Sequence, residues 1–376
     1  MKIPFNKPLV LGTEIENVKA TVESGSLAAN GEFSAKCHQY LEKELHFRKA
    51  LLTTSCTSAL ELAALLVDIR PGDEVIVPSY AFVTTANAFA TKGAKIVFCD
   101  SKKDHPNIDE TLIEELITPN TKAIVALHYG GVPCNMDAIV SLASKHGIKV
   151  IEDNAQGIGS TYNGKPLGGI GDLGAISFQE TKNVHCGEGG ALLVNGEGFA
   201  KRAPVVWEMG TNKADYRNGK VSSYGWVDVG SSFYPSELNA AYLYSQLNHL
   251  GEVTSQRMEI WKRYYDSLAD LSTKGHFELP IIPKGITHNA HTFYLTTDSQ
   301  LKRDALIKVL ASKRVSAAFH FQSLHKSAYF TDKHDRRELT NSDRFSNCLV
   351  RLPLYHSLTL KEQQYVITEV INHFEN

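Results

Sequence analysis

The sequence predicts an α/β fold: a mostly parallel sheet of about seven strands lies between helices, and a smaller C-terminal α+β domain follows. Three observations predict it. From about residue 48, short β-branched runs alternate with helical apolar patterns, the signature of a parallel sheet covered by helices. After about residue 235 the alternation gives way to a long helical stretch and then to new strand and turn signals. Finally, 376 residues with 43% hydrophobic and 21% charged side chains can build two domains and are ordinary for a globular chain.

ALLTT (50–54) is the first strand and leads into the helix SALELAALLV (58–67). A PGD turn (71–73) precedes the strand EVIVPS (74–79) and the helix TTANAFATK (84–92). KIVFCD (95–100) is a strand, DETLIEELI (109–117) a helix and KAIVALH (122–128) a strand. The helix MDAIVSLASKHG (136–147) and the strand KVIEDN (149–154) repeat the cycle. GAISF (174–178) and GALLVN (190–195) are short strands around a polar, glycine-rich stretch. Residues 235–272 read as helical nearly throughout, so the large domain is set at 1–249 and the small one at 250–376. The small domain holds HTFYLTT, the helix LKRDALIKVLASK (301–313), the strand VSAAFHF (315–321) and the final helix LKEQQYVITEVINHF (360–374).

A net charge of −2 gives no electrostatic case for nucleic acid or an anionic membrane. No run approaches the roughly 18 consecutive apolar residues of a membrane span, and the start lacks a secretory pattern. Cysteines 37, 56, 99, 134, 186 and 348 are scattered, without a CxxC pair or a metal-like grouping, so a reduced cytoplasm and no metal are expected.

In an open parallel sheet, ligands bind beyond the carboxyl ends of the strands. The residues there are Ser55-Cys56-Thr57, Ser79 to Phe82, Asp100, His128-Tyr129, Asp153 to Gln156 and Ser177 to Lys182. TTSCTSAL (53–60) ends a strand in hydroxylated residues that open a helix, which suits either a plain N-cap or a phosphate cradle. Asp153 is either a turn aspartate or the acid that keeps a cofactor's pyridine nitrogen protonated. Lys182, between a strand and glycines 187, 189 and 190, is either a solvated charge or an amine desolvated enough to attack an aldehyde. The order of these pieces, each at the end of a successive strand, favours the functional readings.

Together, PFNKPLVLGTE, LLTTSCTSALELAALLVDIRPGDEVIVPSYAFVTTANAF, GAKIVF, NIDETLIEE, EDNAQG, SFQETKN with GEGG, DVGSSFYPSELNAAYL and RLPLY resemble the DegT/DnrJ/StrS family of sugar-nucleotide aminotransferases. The resemblance spans Pro4 to Tyr355 and implies the PLP-dependent transferase fold type I, with pyridoxal 5'-phosphate (PLP) as cofactor. It implies that Lys182 bonds the cofactor's aldehyde and that Asp153 partners its ring nitrogen. Gln156 would border the phenolic oxygen, Phe82 stack on the ring, and Ser177 with Ser55, Cys56 and Thr57 form the phosphate cup. Ser232 would reach the phosphate of a neighbouring subunit, which implies a homodimer or a dimer of dimers with composite active sites. Phe5 and His325 would touch the substrate, with a structural role as the alternative for His325; His185 is either a cofactor contact or a loop residue. Two departures stand out: Cys56 replaces a common glycine and Ser232 a common asparagine.

The implied reaction is ping-pong transfer from L-glutamate to C4 of dTDP-4-keto-6-deoxyglucose, giving dTDP-4-amino-4,6-dideoxygalactose for a surface polysaccharide such as enterobacterial common antigen or lipopolysaccharide. Alternatives are C3 amination of a dTDP-3-keto-6-deoxyhexose, a UDP-4-keto sugar as acceptor, and a PLP-binding regulator without turnover. A sister dehydratase chemistry replaces the lysine with histidine, and Lys182 argues against it.

Overall fold

The alternation of strand and helix patterns builds one seven-stranded sheet in the computed structural model, which describes residues 1–375. Strands β1 (Ala50–Thr53), β2 (Glu74–Pro78), β3 (Lys95–Cys99), β4 (Thr121–Leu127), β5 (Lys149–Asn154), β6 (Leu173–Ser177) and β7 (Gly190–Val194) lie in the order β1-β7-β6-β5-β4-β2-β3. Only β7 runs antiparallel to its neighbours. Every residue of β2, β6 and β7 is buried, as a sheet covered on both faces requires.

Helices α1 (Thr13–Ser24), α2 (Glu32–Gln39), α3 (Cys56–Leu66), α4 (Val83–Ala90), α5 (Met136–His146) and α6 (Glu237–Leu247) surround this sheet. Strand alternation divides its side chains between them. Val75, Val77, Val125 and Ile151 pack with α3 and α4, whereas Ile76, Ile124 and Val150 pack with Ile139 and Ala143 of α5.

Helices α7 (Leu250–Thr273), α8 (Gln300–Ser312), α9 (Thr340–Cys348) and α10 (Leu360–Glu375) pack on a three-stranded antiparallel sheet. Its strands β8 (Phe293–Thr296), β9 (Ala318–Phe319) and β10 (Leu349–Leu352) lie in the order β8-β10-β9. Tyr264, Phe293, Leu306 and Val366 centre this second core, and Ile3 completes it from the other end of the sequence. Ile3 is held by hydrogen bonds to Arg314 O and from Ser316 N, both 2.9 Å. We propose the division at 249/250 because α6 and α7 break there, although Leu250 still packs with α6. Among the described residues no helix is long and apolar enough to cross a membrane.

Two elements differ from expectation. Residues 109–117 form two 3-10 turns, Glu110–Leu112 and Glu114–Leu116, instead of an α-helix. Leu112 is exposed, only Ile113 in 110–116 is fully buried, and the Asp109 carboxylate accepts from Thr111 N at 3.0 Å, closing a tight turn. VSAAFHF shrinks to the two-residue β9, because Val315 pairs with Ile3 instead and Phe321 adopts φ 47°.

Candidate active site

β1 ends at Thr53, and Ser55 caps α3 by accepting from Ser58 N at 3.0 Å. The amides of Cys56 and Thr57 are left without an intrahelical acceptor, at the positive end of the helix dipole. Gly190 makes this placement possible. A Cβ there would meet Ser55 C at 2.4 Å and Cys56 N at 2.5 Å, so β7 can pass beneath the helix start only as glycine. Gly187 is required for a different reason, its φ of 79°. These glycines therefore serve packing and turn geometry around the start of α3.

Ser55, Cys56, Thr57, Phe82, Asp153, Gln156, Ser177 and Lys182 line one cavity of about 460 Å³ at the carboxyl edge of the sheet. Asp153 is buried at the end of β5, where its Oδ2 accepts from Thr85 Oγ1 at 2.6 Å and its Oδ1 from Ala155 N at 3.2 Å. Burial pushes the Asp153 carboxyl above its ordinary range, while those two bonds and the charge of Lys182 pull the other way. Burial pushes the Lys182 amine below its ordinary range, opposed by Cys56 and Asp153. The Cys56 thiol is pushed well up by burial and stays protonated. Gln156 is oriented by Gly130 N, which donates to its Oε1 at 2.6 Å. Phe82 stands at the mouth, 54% exposed, 6.2 Å from the Phe321 ring.

A second cavity of about 540 Å³ adjoins the first and shares Phe82, Thr181, His320 and Phe321 with it. Phe5 lines it, with Arg257, His291 and Arg351. His325 and Ser232 line neither cavity. His325 is buried, its Nδ1 2.7 Å from Ser79 Oγ, and it helps to seat the C-terminal segment against the end of β2. Ser232 is exposed and bridges to Glu208. His185 pairs its ring with Leu9 O at 2.8 Å and Gly187 N at 3.3 Å, a loop-holding role. Asp100 caps α9, accepting from Asn341 N and Ser342 N at 3.0 and 2.7 Å.

The DegT/DnrJ/EryC1/StrS aminotransferase family matches residues 10–371. The chain belongs to this family. Similar solved structures cover 100% of the chain and 99% of their own. The aminotransferase TlmJ from Streptoalloteichus hindustanus is 28% identical, with a TM-score of 0.91. DesV from S. venezuelae, solved in complex with a ketimine intermediate, is 26% identical at 0.91, and an aminotransferase from Psychrobacter cryohalolentis is 25% identical at 0.93. The fold is that of the PLP-dependent aminotransferases, and the chain is an aminotransferase of that class.

The first cavity fits the cofactor of this DegT/DnrJ/EryC1/StrS member. The start of α3 suits a phosphate, buried Asp153 suits a protonated ring nitrogen, and among the described residues no ion pair or hydrogen bond engages the Lys182 amine. Thr85, His320, Phe321 and Arg351 were not singled out from the sequence. The segments VSAAFHF and RLPLY contain three of them, but nothing local marks which side chain turns inward.

Proposed function

We propose that this aminotransferase transfers an amino group from L-glutamate to C4 of dTDP-4-keto-6-deoxyglucose. The product is dTDP-4-amino-4,6-dideoxygalactose, made in the cytoplasm for surface polysaccharide synthesis. The observation that carries the reading is the meeting of Lys182, Asp153 and the start of α3 in one cavity that opens into a larger neighbour.

Bound PLP supplies an electron sink for the carbon that carries the amine. Asp153 would hold a proton on the ring nitrogen, and Thr85 fixes the carboxylate by donating to its Oδ2 at 2.6 Å. Lys182 Nζ, whose pKa burial lowers, would be the amine that holds the cofactor's aldehyde and would move the proton at the reacting carbon. The Cys56 and Thr57 amides with Ser55 and Ser177 would hold the phosphate, Gln156 would flank the phenolic oxygen and Phe82 would cover the ring; all of these residues line the one cavity. Exposed Ser232 suits a contact with a second subunit's cofactor phosphate, in a homodimer with composite sites.

The C4 position and the dTDP carrier are supported by sequence. Cys56 and Ser232 stand where a glycine and an asparagine are common, a pair of departures that resembles the dTDP-4-amino-4,6-dideoxygalactose transaminase branch. Incubating the purified enzyme and L-glutamate with dTDP-4-keto-, dTDP-3-keto- and UDP-4-keto-6-deoxyhexoses, with products identified by NMR, tests this. The galacto-configured 4-amine from the first substrate is expected; a C3 amine or a clear preference for the UDP sugar contradicts it.

A further inference from the structure

We propose that Asn289 is a positioning residue that makes Gln156 present its amide NH2 to the cofactor's phenolic oxygen, a role that rests on the reading above that Gln156 flanks that oxygen. Asn289 is fully buried in the loop that leads into β8 of the small sheet. Its Nδ2 donates to Gln156 O at 2.8 Å and to Ile158 O at 2.9 Å, and its Oδ1 accepts from His291 N at 3.1 Å. Its backbone O accepts at 2.8 Å from Nδ2 of Asn183, the residue after Lys182. One residue of the small domain therefore holds the loops that follow β5 and β6.

The side chain of Gln156 is set from a third loop, the turn Tyr129–Gly131 after β4. Gly130 N donates to Gln156 Oε1 at 2.6 Å. A backbone N–H can meet only an acceptor, so Oε1 faces Gly130 and the NH2 end is left for the cavity, with no partner among the described residues. That is the end a phenolic oxygen needs. Asn107 pins the flanks of the turn, accepting from Tyr129 N at 2.8 Å and donating to Val132 O at 3.0 Å. Its middle rests on Asn289: a Cβ at Gly131 would overlap Asn289 Oδ1 and stand 3.1 Å from Gln156 O.

Asn289 thus fixes Gln156 twice, through the backbone it donates to and through the turn that orients the amide. An amide is required there. An aspartate would set a carboxylate against two carbonyl oxygens, and an apolar side chain would take the donor from both. The consequence is chemical as well as structural. A hydrogen bond donated to the phenolic oxygen weakens that oxygen's hold on the proton it shares with the lysine-bound nitrogen, so the proton leaves at a lower pH. Misplacing Gln156 should therefore raise the pH at which the bound cofactor changes colour.

The test follows the absorbance of the PLP-loaded enzyme against pH in the wild type, Gln156→Ala, Asn289→Ala and the double variant, each checked by melting temperature and circular dichroism. Gln156→Ala should move the spectral transition up by about one pH unit, and Asn289→Ala by about half a unit or more. The double variant should move no further than Gln156→Ala alone, because Asn289 acts through Gln156. Asn289→Asp keeps the shape but loses both donations, so it should move the transition upward too, and it serves if the alanine variant fails to fold. A lower melting temperature with the transition at its wild-type pH, or additive movement in the double variant, overturns the assignment. If Gln156→Ala leaves the transition in place, the reading of Gln156 beside the phenolic oxygen fails and the role of Asn289 falls with it. If Gln156→Ala moves it while neither Asn289 variant does, only the role of Asn289 fails.

Discussion

Glu152 and Asp153 are neighbouring carboxylates with opposite fates. Strand alternation turns Glu152 away from the cavity, where Gly168 N, Ile170 N and Gly171 N donate to it at 2.9, 2.7 and 2.7 Å and His128 Nε2 lies at 2.8 Å. Asp153 receives two bonds and faces an open cavity, so its charge is available for chemistry at a cost to the fold. Because its folded pKa is raised above the ordinary 3.8, its ionisation removes stability as pH rises through that interval. The cofactor-free Asp153→Asn variant should therefore melt at or above the wild-type temperature at pH 7, with the difference vanishing toward pH 4. Its turnover should fall by about a thousandfold or more. Near-normal turnover would mean that another residue holds the ring nitrogen. The site's two ionisable members were legible because Asp153 lies in the last residues of β5 and Lys182 follows the end of β6; Thr85 was not, because its role depends on which face of α4 meets the cavity.

At the scale of elements, the start of α3 and the passage of β7 beneath it form one construction. Gly190→Ala should push Ser55 and Cys56 out of place, since the new Cβ meets backbone rather than a side chain that can yield. We expect PLP affinity to fall by about tenfold or more, read by cofactor dialysis, with the sheet retained by circular dichroism. Wild-type affinity would show that the phosphate is held elsewhere. Strands β1 to β7 were readable because buried apolar runs bounded by turns leave little choice. Residues 109–117 misled because their apolar spacing is helical while the surface they meet buries just one of them in full, Ile113. The seven-residue strand at 315–321 failed because pairing partners, not propensity, set its length: Ile3 takes one end and β10 the other.

At the scale of the molecule, the loop before α6 carries Trp226, Val227 and Val229 at 82, 58 and 62% exposure, close in sequence to Ser232. Apolar side chains so placed fit burial against a second copy. Sedimentation should show a dimer or a dimer of dimers, and an active monomer at assay concentration would contradict the composite site. Such a contact is supported by the resemblance at DVGSSFYPSELNAAYL together with this exposure.

Lys182 decides the whole account, since the roles of Asp153, Gln156 and the α3 cup all follow from where the cofactor's aldehyde meets the chain. Lys182→Ala should abolish turnover while PLP still binds through the phosphate cup. The most direct measurement is borohydride reduction of the wild-type enzyme followed by peptide mapping. The account predicts the phosphopyridoxyl group on Lys182, in the peptide containing SFQETKN. Its recovery on any other lysine would contradict the site.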